Sequence, residues 1–327
     1  MKYFVTGATG FVGSHVARQL AEQRHEVVVS VRTPAKANEL AALGVTITQG
    51  DVTDKESMRG AMQGVDGVFH IAGWYKIGVK NKSAGSDINI SGTRNVLELM
   101  KELGIKKGVY TSTLAVNSDT HGVLVDESYH YHGKHLSEYD RTKWVAHYEV
   151  AEPMIVDGLP LVIVMPGLIY GPGDTSSVRT TFIQYLQRKL PVLPAKTAFS
   201  WAHVEDIARG HILAMELGKV GESYIIAGPT HTLVEGIQIA QKITGVPAPR
   251  IKVAPGVMKA MSATMGVVEK VVPVPVGYSA EYLRVSAGVT YIGTNAKALR
   301  ELDYSPRPLE VGLTETLQHE MKLLGMK

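Results

Sequence analysis

Tyr139 and Lys143 lie four positions apart in Tyr139-Asp140-Arg141-Thr142-Lys143. On a helix that spacing puts both side chains on one face. A free phenol has a pKa of about 10 and transfers protons poorly at neutral pH, whereas a neighbouring ammonium stabilises the phenolate and lowers that value. The pair reads as a proton-transfer tyrosine with a cationic partner whose remaining donors can reach ribose hydroxyls. Upstream, Val109-Tyr110-Thr111-Ser112-Thr113 ends an apolar run in three hydroxyls. All three are expected to face the same site, where one can hydrogen-bond a substrate carbonyl and turn it toward Tyr139. Hydroxyls are common at strand ends, so the weight lies in order: a glycine-rich turn comes first, then this strand, then the pair.

The turn is Thr6-Gly7-Ala8-Thr9-Gly10-Phe11-Val12-Gly13, directly after an apolar run. Gly7 suits a tight turn, Gly10 lets backbone approach a pyrophosphate, and Gly13 allows close helix–strand packing. The helix start offers unpaired N–H groups and partial positive charge. The spacing is G-x-x-G-x-x-G rather than the commoner G-x-G-x-x-G. Thr9, Phe11 and Val12 belong to the same candidate dinucleotide cradle. The next strand ends at Val31-Arg32. An acidic residue there would hold ribose hydroxyls and favour NAD; an arginine pairs with a 2′-phosphate and favours NADP. Lys36 is a second candidate cation. The third strand ends in Gly50-Asp51-Val52, with Asp51 set to accept from an adenine amino group. The fourth ends in His70-Ile71-Ala72-Gly73, where small residues let a cofactor lie against backbone. His70 is expected to pack rather than to catalyse.

The elements that must position these residues alternate. Short apolar runs at 3–6, 26–31, 45–49, 67–71, 108–112 and 161–165 read as buried parallel strands. Amphipathic stretches at 11–23, 55–62, 92–103 and 137–156 read as helices, the second capped by Asp54. This rhythm predicts an α/β fold with a doubly wound parallel sheet. After about Gly171, glycine and proline cluster and shorter segments are expected. Residues 1–170 are expected to form the dinucleotide-binding domain. Residues 171–327 are expected to form a smaller substrate-binding subdomain, partly interleaved with the first and placed over the strands' carboxyl ends. Met258, Met261 and Met265 recur at near-helical spacing and predict a core or pocket-covering helix, with a membrane-surface helix or a dimer contact as the alternatives.

Composition narrows the function classes. Of 327 residues 45% are hydrophobic and 20% charged, as in ordinary globular chains. The net charge of +3 is too small to suggest a nucleic-acid partner. With no cysteine, disulfides, thiolate nucleophiles and cysteine-ligated metal sites are excluded. No run approaches the ~18 apolar residues of a membrane span, and the N-terminus lacks the apolar region of a secretory signal. A cytoplasmic protein with no membrane partner is expected. His130, His132 and His135 cluster before the Tyr139 helix without accompanying carboxylate spacing, so a polar loop is expected there rather than a metal site. Trp74 and Tyr75 face substrate or pack.

Together these residues resemble the extended short-chain dehydrogenase/reductase family. The resemblance runs over nearly the whole chain: TGATGFVG at 6–13, GDV at 50–52, HIAG at 70–73, INISGTRNVLE at 88–98, YTST at 110–113, VDES at 125–128, YDRTK at 139–143, PGLIYGPGD at 166–174 and HVED at 203–206. It implies a Rossmann fold and, as is frequent in the family, a homodimer. It places Thr113 as the catalytic hydroxyl, Tyr139 as the general acid–base, and Lys143 as its ribose-binding partner. Asn89 would hold the active-site helix, and Pro166 to Ile169 would line the nicotinamide side. Two departures matter. Sugar-nucleotide epimerases usually carry asparagine near Gly167 or Leu168, and an arginine shortly before the segment matching His203. This chain has neither. Arg32, and ITGVPAPR at 243–250, resemble the dihydroflavonol-reductase-like and hopanoid-associated epimerase-like branch.

The expected activity is NADP-dependent reduction of a small or medium apolar aldehyde or ketone through Thr113, Tyr139 and Lys143. The rival is a nucleotide-sugar epimerase or dehydratase that retains NAD. A non-catalytic NADP-sensing protein is a third reading.

Overall fold

The computed structural model describes residues 1–326. Its first half supplies β1 (Lys2–Thr6), β2 (Glu26–Val31), β3 (Thr46–Gln49), β4 (Gly67–His70), β5 (Gly108–Thr111) and β6 (Leu161–Pro166). Its second half adds β7 (Leu168–Tyr170), β8 (Val192–Pro194), β9 (Ala198–His203), β10 (Ser223–Ile226), β11 (Thr230–Thr232), β12 (Ile251–Val253) and β13 (Thr290–Tyr291). The main sheet runs β3-β2-β1-β4-β5-β6-β10 and is parallel throughout. Chain order reverses between β1 and β4, which opens a crevice at their carboxyl ends. The doubly wound parallel fold is as expected.

Alternation of side chains along each strand builds two cores. Val5, Val29, Phe69, Val109 and Val164 pack with helices Phe11–Glu22 and Val204–Leu217. Phe4, Val28, Val68, Tyr110 and Ile163 pack on the other face with helices Lys55–Met62 and Thr93–Glu102. Every residue of β6 is buried, as a strand covered on both faces must be. The Asp54 carboxylate accepts from the Ser57 N–H at the start of its helix.

The second half differs from the short segments expected there. Val204–Leu217, Leu233–Thr244, Pro255–Val268 and Leu309–Leu323 are full helices. Thr232 and Glu235 form a reciprocal capping box at the second of them, a signal present in the sequence. Most of this half forms a third core around Tyr170, Phe182, Trp201, Ile237 and Leu313. Strand β10 instead crosses back to pair with β6. A second sheet, β11-β9-β13 with β7 on β9, stands at the carboxyl edge of the first. The stretch expected as one helix over 137–156 is α-helical at Glu138–Trp144, π-helical at Val145–Ala151 and α-helical again at Glu152–Val156. A second π-helical turn spans Ser86–Gly92. Such turns are rare and concentrate at functional sites.

Candidate active site

The turn after β1 is built as its glycines require. Gly7 has φ +73°, and a Cβ there would meet the Ala72 backbone nitrogen at 2.6 Å. A Cβ on Gly13 would collide with the Gly7 carbonyl. The register Thr6↔His70 brings the Thr6 hydroxyl to the N–H groups of Ile71 and Ala72, at 3.1 and 3.2 Å. These bonds clamp the two strand ends on either side of the crevice. No side chain caps the Phe11–Glu22 helix, so its first N–H groups are left for a ligand.

A cavity of about 970 Å³ runs along this edge. Its walls include Gly7, Thr9, Gly10, Phe11, Val12, Arg32, Lys36, Asp51, Val52, Ile71, Ala72, Gly73, Thr111, Thr113, Tyr139, Lys143, Pro166 and Ile169. All the residues singled out in the sequence for cofactor or chemistry are thus brought to one space. The buried Ser30 hydroxyl also lines it and has no hydrogen-bond partner among the described residues. An uncapped helix start, an unpartnered hydroxyl and a glycine cradle fit a dinucleotide, in a volume at the upper end of the ~300–1,000 Å³ usual for ligand pockets. Asp51 is less free than expected: Oδ1 already accepts from the Thr53 N–H and hydroxyl, at 3.0 and 2.9 Å.

Thr113, Tyr139 and Lys143 all line the cavity, with the Thr113 and Tyr139 hydroxyls in contact. Ser137 caps the Tyr139 helix by accepting from the Asp140 N–H at 3.0 Å. Lys143 Nζ donates to the Thr111 carbonyl at 2.7 Å and the Tyr110 hydroxyl at 3.1 Å, and lies over the Tyr110 ring. The electrostatics depart from the expected lowering of the tyrosine. Tyr139 is only partly buried as a residue, yet desolvation of its hydroxyl end pushes its pKa up to about 12, with the Thr113 hydroxyl pulling against that rise. Burial lowers Lys143 to about 7. Desolvation dominates both shifts, because each charged form loses water on burial.

Thr111 at the end of β5 and the following Ser112 and Thr113 all line the cavity, but their hydroxyls take different partners. Thr113 alone faces Tyr139. Thr111 Oγ1 is bonded to His211 Nε2 at 2.8 Å, and Ser112 Oγ to His147 Nδ1 at 2.7 Å. Successive residues of an extended chain point to opposite faces, which the hydroxyl count alone concealed. His70 sits between the Thr6 and Thr93 hydroxyls, at 2.9 and 3.0 Å, and stacks on Tyr110. Burial lowers it to about 3, so it is a neutral packing residue. Asn89 Oδ1 accepts from the Trp74 N–H at 2.7 Å, while Nδ2 donates to the Trp74 carbonyl and the Thr142 hydroxyl, each at 2.9 Å. It ties the β4 loop to the Tyr139 helix. Trp74 is buried against Gly85; Tyr75 is exposed, with its hydroxyl 3.3 Å from Thr175 Oγ1. His132 stacks on His130, which lies tilted against Tyr148, and His135 lies tilted against Tyr131 and Trp144. The three imidazoles form an aromatic row rather than a shared ligand set.

Sequence reasoning missed what the second half contributes. Phe199 of β9, Tyr282 and Val285 of the Ala280–Val285 helix, and Tyr291 of β13 line the cavity beyond Tyr139. Tyr291 stacks flat on Phe199, with centroids 6.0 Å apart. The Glu138 N–H donates to Glu281 Oε1 at 2.7 Å, placing an anion at the start of the Tyr139 helix, where the helix dipole favours it. Asp140, which also lines the cavity, is buried among the hydroxyls of Ser118, Ser137 and Tyr291. Ser118 holds the left-handed φ of +48° in doing so. No local pattern announces contacts 140 or more residues distant. The absence of asparagine at 167 has a local cause: a Cβ on Gly167 would collide with the Ser200 carbonyl of β9.

Comparison with known proteins gives this geometry its place. The model of the NAD dependent epimerase/dehydratase family matches residues 3–227. The chain is 32% identical to a Synechocystis sp. protein carrying the name dihydroflavonol 4-reductase, over 96% of this chain and 93% of that one. It is 29% identical to sterol demethylase protein B of Methylococcus capsulatus, over 80% of each. The crystal structure of gox2253 superposes with a TM-score of 0.86 at 29% identity, covering 99% of both chains. The chain belongs to the NAD-dependent epimerase/dehydratase family. It is an NAD(P)-dependent enzyme of the extended short-chain dehydrogenase/reductase type.

Proposed function

We propose that the chain is an NADP-dependent reductase of an apolar aldehyde or ketone, with Thr113, Tyr139 and Lys143 at the reacting centre. One observation carries the reading. Among the described residues, the cavity's only cations are Arg32 and Lys36 at its adenosine end and Lys143 at its middle. The remaining half is walled by Leu168, Phe199, Tyr282, Val285 and Tyr291, with the Asp174 carboxylate and the hydroxyls of Ser176, Thr181 and Thr197 between them. That half suits an uncharged apolar carbonyl and offers no cation to the diphosphate of a sugar nucleotide. The name of the Synechocystis relative is in keeping with a reductase.

When bound, the nicotinamide supplies the hydride. The chain's own groups do the rest. Thr113 donates a hydrogen bond to the carbonyl oxygen and fixes its direction. Tyr139, protonated throughout the neutral range because burial holds its pKa near 12, gives that oxygen its proton. In its protonated form, which prevails below a pKa lowered to about 7, Lys143, anchored on the Thr111 carbonyl, presents its remaining donor to a ribose hydroxyl and offsets the negative charge left on Tyr139. Arg32 and Lys36, exposed at the end of β2, accept the 2′-phosphate. The second half forms the substrate subdomain. The test is consumption of NADPH against NADH with a panel of uncharged apolar aldehydes and ketones. NADPH-dependent alcohol formation is expected; epimer formation from a sugar nucleotide without net cofactor change would replace this reading with the rival.

A further inference from the structure

Exposed apolar side chains are concentrated in one stretch of the chain. Among the described residues nineteen large hydrophobic side chains are exposed, and eight of them lie between Ile251 and Tyr278. The helix Pro255–Val268 turns Met258 and Ser262 inward. Met258 packs with Leu283 and Ala287, and the Ser262 hydroxyl donates to the Ala280 carbonyl at 2.7 Å. Val257, Ala260, Met261, Ala263 and Val267 face out, and Lys259 is the only charged residue of the helix. The following loop continues the pattern, with Val271 83% exposed. A surface helix of a globular protein ordinarily carries polar residues on its outer face; this one carries methyl groups.

The segment that carries this face has an excess of cations. Residues 250–278 contain Arg250, Lys252, Lys259 and Lys270 against Glu269 alone. Four minus one is +3, and the whole chain has 34 − 31 = +3, so all other residues balance. The single carboxylate is turned inward, accepting from the Ala280 N–H at 3.1 Å. An apolar helix face bordered by unbalanced cations combines the two attractions that hold interfacial helices on anionic bilayers.

We propose that the face formed by residues 251–278 docks on the surface of an anionic lipid bilayer, with the Pro255–Val268 helix lying in the interface plane. Among the described residues no helix is long and apolar enough to cross a membrane, so the contact is peripheral. A second copy of the chain is a poorer occupant: isologous contact through this face would bring two +3 patches together. The face adjoins the cavity. The Ala280–Val285 helix, which supplies Tyr282 and Val285 to the cavity wall, packs directly on the docking helix.

The experiment is co-sedimentation of the full chain with phosphatidylcholine vesicles, with and without phosphatidylglycerol. It uses the wild type, the outward-face variant Val257→Ser/Met261→Ser/Val267→Ser, and the charge variant Lys259→Gln/Lys270→Gln. None of these five positions lines the cavity, so unchanged dinucleotide binding reports intact folding. Wild-type protein is expected to sediment with anionic vesicles only. The charge variant should lose roughly fivefold in partitioning per cation removed, and the serine variant should lose binding at every lipid composition. Absence of wild-type binding to anionic vesicles overturns the proposal, as does equal binding by all three proteins. Light scattering that finds a dimer dissolved by the serine substitutions, without lipid binding, assigns the face to a second copy and also overturns it. None of these readouts depends on turnover, so they stand apart from the reductase reading.

Discussion

The Tyr291 hydroxyl donates to Asp140 Oδ2 at 3.1 Å, joining β13 to the residue next to Tyr139 across 151 positions of chain. With the Glu281–Glu138 bond it fixes the start of the Tyr139 helix to the second half. The helix that carries Tyr139 therefore takes its position from the part of the chain that also supplies Phe199, Tyr282 and Val285 to the cavity wall. Hydrogen bonds to a charged partner contribute about 1.5–3 kcal/mol. Tyr291→Phe is expected to lower stability by about that amount in urea titrations at neutral pH, and to lower kcat more than it raises KM.

Asp140 gives the fold an unusual pH response. Burial raises its pKa from 3.8 to about 6, against the pull of its three hydroxyl donors. Between those values the folded state binds the proton and the unfolded state does not, so stability falls as pH rises through that window. The cost at neutral pH is about 3 kcal/mol at ~1.36 kcal/mol per unit. In Asp140→Asn this downward slope between pH 4 and 6 should be absent from urea titrations run across that range.

Lys143 acts in the opposite sense. Burial lowers its pKa from 10.5 to about 7, so between those values the unfolded state holds a proton that the folded state has released, and stability rises with pH. Lys143→Met should remove that rise while leaving the Asp140 window unchanged. A rise that survives in the variant would place its origin elsewhere.

Tyr139→Phe keeps the ring and removes the proton. Proton donation of this kind contributes roughly 10²–10⁴-fold. Carbonyl reduction should fall by that factor, with NADPH affinity in fluorescence titrations within about twofold of wild type. Turnover retained in the variant would sink the assignment.

Arg32→Ala tests the cofactor. A lost charge-assisted bond to the 2′-phosphate, worth about 1.5–3 kcal/mol, should weaken NADPH by roughly 10–150-fold in calorimetric titrations and leave NADH nearly unchanged.

The sequence made the first half readable because its signals are local. The β1 glycine turn, the Asp54 cap and the Tyr139–Lys143 spacing each lie within eight residues of chain. Each element there also has a pattern of period near two or near 3.6. The direction of each β5 hydroxyl was not readable, since a one-residue offset sends Thr111 to His211 and Ser112 to His147. Nor was the sign of the Tyr139 shift: spacing gives the distance to an ammonium, but desolvation depends on every element packed around both groups. Tyr291, Phe199 and Glu281 reach the site through tertiary pairing alone, and β10 is four residues long with no partner nearby in sequence.

The return of β10 to the main sheet governs the order in which the protein can mature on a ribosome. When β6 emerges, its outer edge has no neighbour until Ser223–Ile226 pairs with Ile163–Pro166, and the 56 residues from 167 to 222 must be made in between. At ~5–20 residues per second that takes roughly 3–11 s. Throughout that interval an apolar strand, Leu161–Pro166, presents bare amides and carbonyls to any chain nearby. The nascent protein therefore has a defined period of vulnerability, set by topology, and a chain cut at residue 170 would keep that edge open permanently.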